Sequence, residues 1–107
     1  MYKIKEIHLK DKNDNTCGEI KILKIFDNLI EGELIPTSNF EQYTSLFCEH
    51  EHAANHQLLI EIDRLERDIE ALGFYIEAKY NLSTLQFRAV DLQIMSSGVT
   101  LKIEPKT

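Results

Sequence analysis

The stretch TSNFEQYTSLF, residues 37–47, decides the fold because the spacing of apolar residues changes within it. Before it, apolar and polar residues alternate with a period of two, which is typical of half-buried β-strands. Within it, Ser38 stands three residues before Glu41, a capping-box pattern that predicts the start of a helix. From Phe40 onward the apolar residues recur at helical spacing, so the chain changes here from strands to helix.

One long amphipathic helix is predicted from this start to Gly73, a residue suited to a left-handed C-terminal cap. Its apolar positions are Phe40, Tyr43, Phe47, Ala54, Leu58, Ile62, Leu65, Ile69 and Leu72. On a helical wheel they fall within a stripe about 100° wide. A continuous helix would be roughly 50 Å long. A break or kink between Cys48 and Asn55 is therefore an alternative, with Asn55 capping a second helix.

Three strands are predicted on each side of the helix. They are YKIKEIHLK (2–10), EIKILKIF (19–26) and LIEGELI (29–35) before it, and FYIEAKY (74–80), TLQFRAVDLQIM (84–95) and VTLKI (99–103) after it. Changes of apolar parity predict β-bulges near Glu6, at residues 22–23 and between Phe87 and Val90. The predicted fold is a single α+β domain, residues 1–107, in which one antiparallel sheet of about six strands packs a face on one long or kinked helix.

The charge of the chain is unevenly distributed. Its 12 Lys and Arg stand against 18 Asp and Glu, which gives a formal net charge of −6. Residues 36–73 contain eight of the acids and only two arginines, so the whole net charge lies there. This distribution argues against nucleic acid as a partner, because phosphate binding needs a surface of Lys and Arg. An acidic helix favours a basic protein partner instead.

Cysteine content and hydropathy predict a cytoplasmic protein. Cys17 in a polar turn and Cys48 in the helical region are too few for a disulfide framework, although a single bond between them is an alternative. The sequence has no run of about 18 apolar residues, and residues 1–14 lack the apolar block of a secretory signal. We therefore expect no membrane association.

The stretch CEHEHAANH, residues 48–56, is the sharpest candidate for metal chemistry. On a helix, Cys48, His52 and His56 form one column of zinc-type ligands. The column spans roughly 12 Å of helix axis, so one ion reaches at most the pair His52 and His56. The stretch also departs from the HExxH arrangement of metalloproteases. We predict a solvated helix face and no cofactor, with metal binding by His52 and His56 as the alternative.

No other catalytic pattern is present in the sequence. Its four glycines form neither a phosphate-binding loop nor a nucleophile elbow. We therefore predict that the protein is not an enzyme. The alternative is a small enzyme or ligand-binding domain with a pocket between sheet and helix, lined by Tyr43, His50, Tyr75 and Tyr80.

The exposed face of the second half of the helix is the candidate binding surface. The predicted partner-binding residues are Leu59, Ile60, Asp63, Glu66 and Glu70. The three acids form either an acidic docking stripe or a solvated face with an ion pair between Asp63 and Arg67. Leu59 and Ile60 fall about 110° and 150° from the centre of the apolar stripe, so we expect them to be exposed. Apolar residues rimmed by charge are typical of an interface with a partner, and the alternatives are a self-interface or burial under a loop.

The organisation of the chain includes an acidic helix, EIDRLERDIEALG (61–73), and a closing strand pair, VDLQIMSSGVTLKI (90–103). It resembles the immunity proteins of bacterial toxin systems, including those of contact-dependent growth inhibition. The resemblance implies a cytosolic protein that binds one cognate toxin, often a basic nuclease, and covers its active site or another essential surface. It implies no site residue by position. We expect a monomer or weak homodimer, and a self-associating structural or phage-type module is the alternative.

Overall fold

Six strands and two α-helices make up residues 6–80 and 83–105, the part of the chain that the computed structural model describes. The strands are β1 (Glu6–Lys10), β2 (Thr16–Phe26), β3 (Leu29–Pro36), β4 (Tyr75–Tyr80), β5 (Ser83–Met95) and β6 (Gly98–Pro105). Between β3 and β4 lie a 3-10 helix (Ser38–Tyr43), α1 (Thr44–Asn55) and α2 (Leu59–Ala71). The predicted order of three strands, a helical region and three strands is confirmed. The beginning of the predicted first strand, residues 2–5, lies outside the described residues.

The sheet closes into a barrel, which corrects the predicted open sheet with one face on a helix. All neighbouring strands are antiparallel in the order β1-β2-β3-β6-β5-β4, and β1 pairs with β4 to complete the circle. At this closing seam Ile7 lies opposite Ala78, and Leu9 lies opposite Ile76. All four side chains are buried. A barrel turns one face of every strand inward, so the strands enclose much of the core themselves.

One apolar core fills the barrel and continues beneath the helical region. Its buried members are Ile7, Leu9, Cys17, Ile20, Ile30, Phe40, Phe47, Ile69, Phe74, Ile76, Ala78, Leu92, Val99 and Leu101. Three aromatic rings join the helical region to the start of β4: the ring centroids of Phe40 and Phe47 are 5.6 Å apart, and those of Phe47 and Phe74 are 5.8 Å apart. Burial of each large apolar side chain contributes about 1.5–3 kcal/mol.

The β-bulges follow the parity changes only in part. The register shifts between Leu9 and Lys10 in β1, between Ile22 and Lys24 in β2, and between Val90 and Gln93 in β5. The bulge in β2 is confirmed. The bulge in β1 lies beyond the predicted position, and the bulge in β5 lies C-terminal to the predicted one. In β5, Asp91 takes a left-handed φ of 53°, which produces the extra residue of the bulge.

The helical region begins one residue earlier than the capping box predicts. Thr37 is the N-cap, and its hydroxyl accepts a hydrogen bond from the Asn39 amide at 3.3 Å. The first turns are a 3-10 helix that leads directly into α1. At the other end Gly73 has a φ of 68°, so the predicted left-handed cap is confirmed.

Two helices replace the predicted single long helix. α1 ends at Asn55 and α2 starts at Leu59, so the chain does break, but just after the predicted segment between Cys48 and Asn55. Gln57 takes a left-handed φ of 55° in the connection. The N-cap of α2 is Leu58, which makes no side-chain capping bond. The prediction that Asn55 caps the second helix is therefore wrong.

α1 and α2 pack against each other and against β5. On α1, the Glu51 carboxylate accepts hydrogen bonds from Ser96 through its hydroxyl at 2.6 Å and its amide at 2.9 Å. These bonds hold the pKa of Glu51 below its usual range. On α2, Leu65 and Ile69 are buried. Within the described residues, no helix combines the length and apolar character needed to cross a bilayer.

Candidate interaction surface

The residues predicted to bind a partner lie on the solvent-facing side of α2. Leu59 and Ile60 are 74% and 85% exposed. Asp63, Glu66 and Glu70 are exposed as well. At 100° per residue, Leu59 and the three acids lie within about 60° of one another, and Ile60 lies about 60° further round. The helix therefore brings the predicted residues together, with Ile60 at the edge of the group.

A buried histidine of α1 forms a hydrogen bond with Glu66. His50 of α1 is 1% exposed, and its Nε2 lies 3.2 Å from Oε2 of Glu66. The Nδ1 atom of His50 has no hydrogen-bond partner among the described residues. We therefore assign the proton to Nε2, which donates to the carboxylate. The Glu66 side chain is 48% exposed, so it faces solvent while one of its oxygens is fixed from within.

Glu70 and Asp63 differ in their contacts. Oε1 of Glu70 lies 3.6 Å from a guanidinium nitrogen of Arg88 on β5, and Arg88 also lies 3.6 Å from Glu104. Asp63 has no Lys, Arg or His within ion-pair distance in the part of the chain that the structure describes. The ion pair with Arg67 that the spacing allowed is not formed. Asp63 therefore carries the least neutralised charge of the three acids.

One turn after Ile60 on α2, Arg64 is shared by three carboxylates. Its Nη2 lies 2.7 Å from Glu61 and 3.7 Å from Glu49 of α1, and its Nη1 lies 3.5 Å from Asp68. The hydrogen bond and the charge of Glu61, followed by the charges of the other two acids, raise the pKa of Arg64. One cation faces three anions, so this cluster keeps a net negative charge.

A groove of about 500 Å³ lies between α1 and α2 beside the Arg64 cluster. It is lined by Ser45, Cys48, Glu49, His52, Ala53, Leu58, Glu61 and Leu65. Ala53 and Leu65 are buried and form its floor. Leu58 is exposed at its mouth, where the chain continues into Leu59 and Ile60. The groove therefore combines an apolar floor with an acidic rim.

The histidine column lies on the exposed side of α1. The rings of His52 and His56 have centroids 4.3 Å apart, and Nδ1 of His56 lies 2.9 Å from the His52 carbonyl oxygen. That nitrogen is therefore a donor and is occupied. Residues 6–80 and 83–105 contain no group of three or more His, Cys, Asp or Glu placed to hold a metal ion. Cys48 is exposed, Cys17 is buried and both are free, so the alternative disulfide is not formed.

Two of the tyrosines considered for a pocket instead anchor the loop between β1 and β2. The Tyr43 hydroxyl donates to Asp11 at 2.7 Å, and the Tyr75 hydroxyl donates to Asp14. Burial, followed by the bond to its carboxylate partner, raises the pKa of each tyrosine to about 12. His50 contacts Glu66 instead, and the side chain of Tyr80 lies outside the described residues.

Asp11, in the loop between β1 and β2, is a buried carboxylate. Its Oδ1 accepts hydrogen bonds from the amides of Asn13 and Asn15, each at 3.0 Å. Its Oδ2 accepts from Tyr43. Burial alone would raise its pKa, but the bonds from Tyr43, Asn15 and Asn13 outweigh burial and lower it. Four donors satisfy the carboxylate, since Asn15 also donates through its side chain, so Asp11 has a structural role.

A second apolar patch lies on the hairpin of β2 and β3. Leu23, Ile25, Phe26 and Ile35 are all about half exposed or more. Lys21 and Lys24 are exposed on the same hairpin. Asp27 and Glu33 are exposed there as well, so both signs of charge surround this patch.

Similarity to known proteins gives no guide to the role of these surfaces. No family model matches the chain, and neither the curated proteins nor the solved structures include a significant match. Function must therefore be argued from the geometry of α1 and α2.

Proposed function

We propose that this protein is a cytoplasmic immunity protein that binds a basic bacterial toxin through the solvent-facing side of α2 and neutralises it. The exposure of Leu59 and Ile60 beside Asp63, an acid with no ion pair among the described residues, carries the proposal. Burial of a large apolar side chain contributes about 1.5–3 kcal/mol. Two such neighbours left in solvent provide the apolar anchors that a protein interface needs.

The charge of the helical region supports a basic partner. Residues 36–73 carry the whole net charge of −6. A field of one sign raises the rate at which an oppositely charged protein is encountered, and it disfavours acidic proteins. The acids of α2 would therefore select the toxin and speed its capture, while Leu59 and Ile60 would slow its release.

One of the acids is already oriented before a partner arrives. Glu66 is hydrogen-bonded to the buried His50, whereas Glu70 makes only an exposed contact of 3.6 Å with Arg88. Ordering a flexible side chain at an interface costs about 0.5–1.5 kcal/mol. Side chains that are fixed in the free protein avoid part of this loss, which supports binding through this face.

Co-expression with the neighbouring gene product tests the proposed function. The first candidate toxin is the C-terminal domain of the reading frame that ends immediately upstream of the gene for this chain. We expect that domain to arrest growth when it is expressed alone, and this protein to restore growth and form a stable complex with it. Growth arrest that persists while the soluble protein is present would exclude this pair, and a harmless upstream product would exclude the proposal.

Matched variants connect the rescue with the surface. Ile60→Asp and Asp63→Lys change an apolar anchor and an acid of α2, and both side chains are exposed. Glu33→Lys is the control, because Glu33 is an exposed acid on β3. We expect rescue to be lost with the two α2 variants and kept with the control. Equal rescue by all three variants would show that the toxin binds a different surface of the protein.

Self-association as a structural module is a second candidate, favoured by the apolar patch on β2 and β3. Sedimentation of the purified protein over a range of concentrations distinguishes the two functions. A structural module predicts a mass that rises from 12.4 kDa with concentration and returns to that value in Phe26→Lys. A constant mass of 12.4 kDa would exclude the module.

A further inference from the structure

We propose that the groove between α1 and α2 receives one arginine or lysine side chain, together with a neighbouring apolar residue, from a basic protein partner. The inference deepens the proposed function and rests on it, since the toxin supplies the occupant. It moves the centre of the interface from the outer face of α2 to the space between the two helices. Leu59 and Ile60 follow Leu58, which lines the groove.

The lining of the groove suits the two parts of a basic side chain. Long cationic side chains bury their methylene stems on apolar surface and keep the charged group at a polar rim. Here Ala53 and Leu65 form an apolar floor, and Glu49 and Glu61 stand on opposite helices at the rim. A cation lying between the two helices would therefore face a carboxylate from each.

The ion pairs at the rim leave acceptors for a second cation. Arg64 makes one short contact, 2.7 Å to Glu61, whereas its nitrogens lie 3.7 Å from Glu49 and 3.5 Å from Asp68. Contacts longer than about 3.2 Å are weak hydrogen bonds. Three carboxylates around one guanidinium still attract positive charge. An incoming arginine would bind the carboxylate of Glu49 and would compete with Arg64 for that carboxylate.

The charge of the chain excludes a second copy as the favoured occupant. Docking the helical region of one copy against that of another would bring two surfaces of net charge −6 together. A symmetric dimer contacts itself through the same patch on both copies, so like charges would be opposed. A basic partner would instead bring opposite charges together, so we propose a basic protein as the occupant.

The groove includes Leu58, the residue that precedes the exposed Leu59 and Ile60 in the chain. One partner segment that inserts a cation is therefore able to place an apolar residue on Leu59 or Ile60. Interfaces concentrate their binding energy in such central pockets, and the surrounding contacts exclude water.

A short peptide tests the groove without the toxin. The probe is acetyl-Leu-Leu-Arg-amide, and its control is acetyl-Leu-Leu-Glu-amide. In a titration followed by amide NMR shifts, we expect the arginine peptide to perturb residues 45–53 and 58–65, with a dissociation constant on the order of 1 mM. The glutamate peptide should perturb neither segment. Absence of saturable shifts, equal shifts with both peptides, or shifts located on the barrel would overturn the proposal.

Two substitutions of opposite sign separate this mechanism from a general surface effect. Glu61→Gln removes a rim carboxylate and should weaken the arginine peptide about three-fold. Arg64→Gln removes the competing cation and should strengthen it by a similar factor. Glu33→Gln on β3 should leave the affinity unchanged. A loss of affinity in Arg64→Gln would overturn the competition and with it the proposed place of the incoming cation.

The outcomes distinguish failure of the groove from failure of the proposed function. In one outcome the peptide binds in the groove while the upstream product is not neutralised by this protein. That result would support the groove as a site for basic segments and would exclude the immunity function. Rescue of growth without peptide binding would support the immunity function, overturn the groove and leave the outer face of α2 as the interface.

Discussion

The buried imidazole of His50 and the half-exposed carboxylate of Glu66 lie 3.2 Å apart across the contact between α1 and α2. His50 has no other hydrogen-bond partner within the described residues. The pair joins the interior of the helical region to its solvent-facing side. Glu66 therefore contributes to stability and is also a candidate for partner binding, and the two roles must be measured separately.

Removal of Glu66 should destabilise the protein through His50. In Glu66→Ala the buried histidine loses its partner, and we expect the free energy of unfolding to fall by about 1–3 kcal/mol. Glu66→Gln keeps an acceptor oxygen and should lose less. Urea denaturation measures both, with Glu70→Ala as the control, because its ion pair with Arg88 is exposed and worth less than about 1 kcal/mol. Equal losses in the two alanine variants would contradict the role of His50.

The bond between Tyr43 and Asp11 should make stability depend on pH in a defined direction. The folded-state pKa of Asp11 is lowered from 3.8, so this group stabilises the fold above that value and loses its contribution as the pH falls through the folded pKa. We expect Tyr43→Phe to lower the free energy of unfolding by about 1.5 kcal/mol at neutral pH. The difference from the unsubstituted protein should shrink below about pH 4. A difference that stays constant or grows in acid would contradict the assignment.

β2 and β3 approach each other closely at Gly32, so we expect a side chain at this position to destabilise the protein. A Cβ atom at this position would lie 2.3 Å from the carbonyl oxygen of Lys21 and 3.1 Å from Cγ2 of Ile20. We expect Gly32→Ala to destabilise the barrel by about 1–3 kcal/mol, because backbone must move to admit the methyl group. The comparison is Gly73→Ala, where the left-handed φ of 68° is the main penalty, about 1 kcal/mol. A fully stable Gly32→Ala protein would contradict the register of β2 and β3.

The two sides of α2 should respond differently to truncation. Leu65 is buried, so Leu65→Ala should lower the free energy of unfolding by about 2–5 kcal/mol. Ile60 is exposed, so Ile60→Ala should change it by less than about 0.5 kcal/mol. Thermal and urea unfolding check both. A large loss in Ile60→Ala would mean that this side chain is covered in the free protein and is not available to a partner.

The two cysteines should differ in reactivity. Burial, followed by the nearby charge of Asp11, raises the pKa of Cys17 to about 11, whereas Cys48 is exposed in the groove. The thiolate is the reactive form, so we expect a thiol reagent to label Cys48 alone in the folded protein and both residues in denaturant. Labelled protein should also fail to bind acetyl-Leu-Leu-Arg-amide. Rapid labelling of Cys17 would show that the barrel end beside Asp11 is open.

Local patterns predicted the strands and the exposure of Leu59 and Ile60, because both depend on the spacing of neighbouring residues. Closure of the barrel depends on the pairing of Ile7 with Ala78, which are far apart in the chain. Alternation within a strand is the same in an open sheet and in a closed one. No periodicity therefore distinguishes the two architectures.

The exact position of the helix break and the groove were missed for a related reason. Ala54 and Leu58 fit one continuous apolar stripe, so the wheel continues through the break at Gln57, a non-glycine residue with positive φ. Without the break, Glu49 and Glu61 lie on one rod and never meet across a groove. Their contact with the same guanidinium, that of Arg64, follows only from the packing of α1 on α2.

The salt dependence of toxin binding tests the central claim most directly. Calorimetry with the purified upstream toxin domain, at low and at physiological salt, would compare this protein with Asp63→Lys and with the control Glu33→Lys. We predict tight binding that weakens with salt, a large loss of both affinity and salt dependence in Asp63→Lys, and no change in the control. Affinity and salt dependence that are the same in all three proteins would contradict binding through the acidic helical surface.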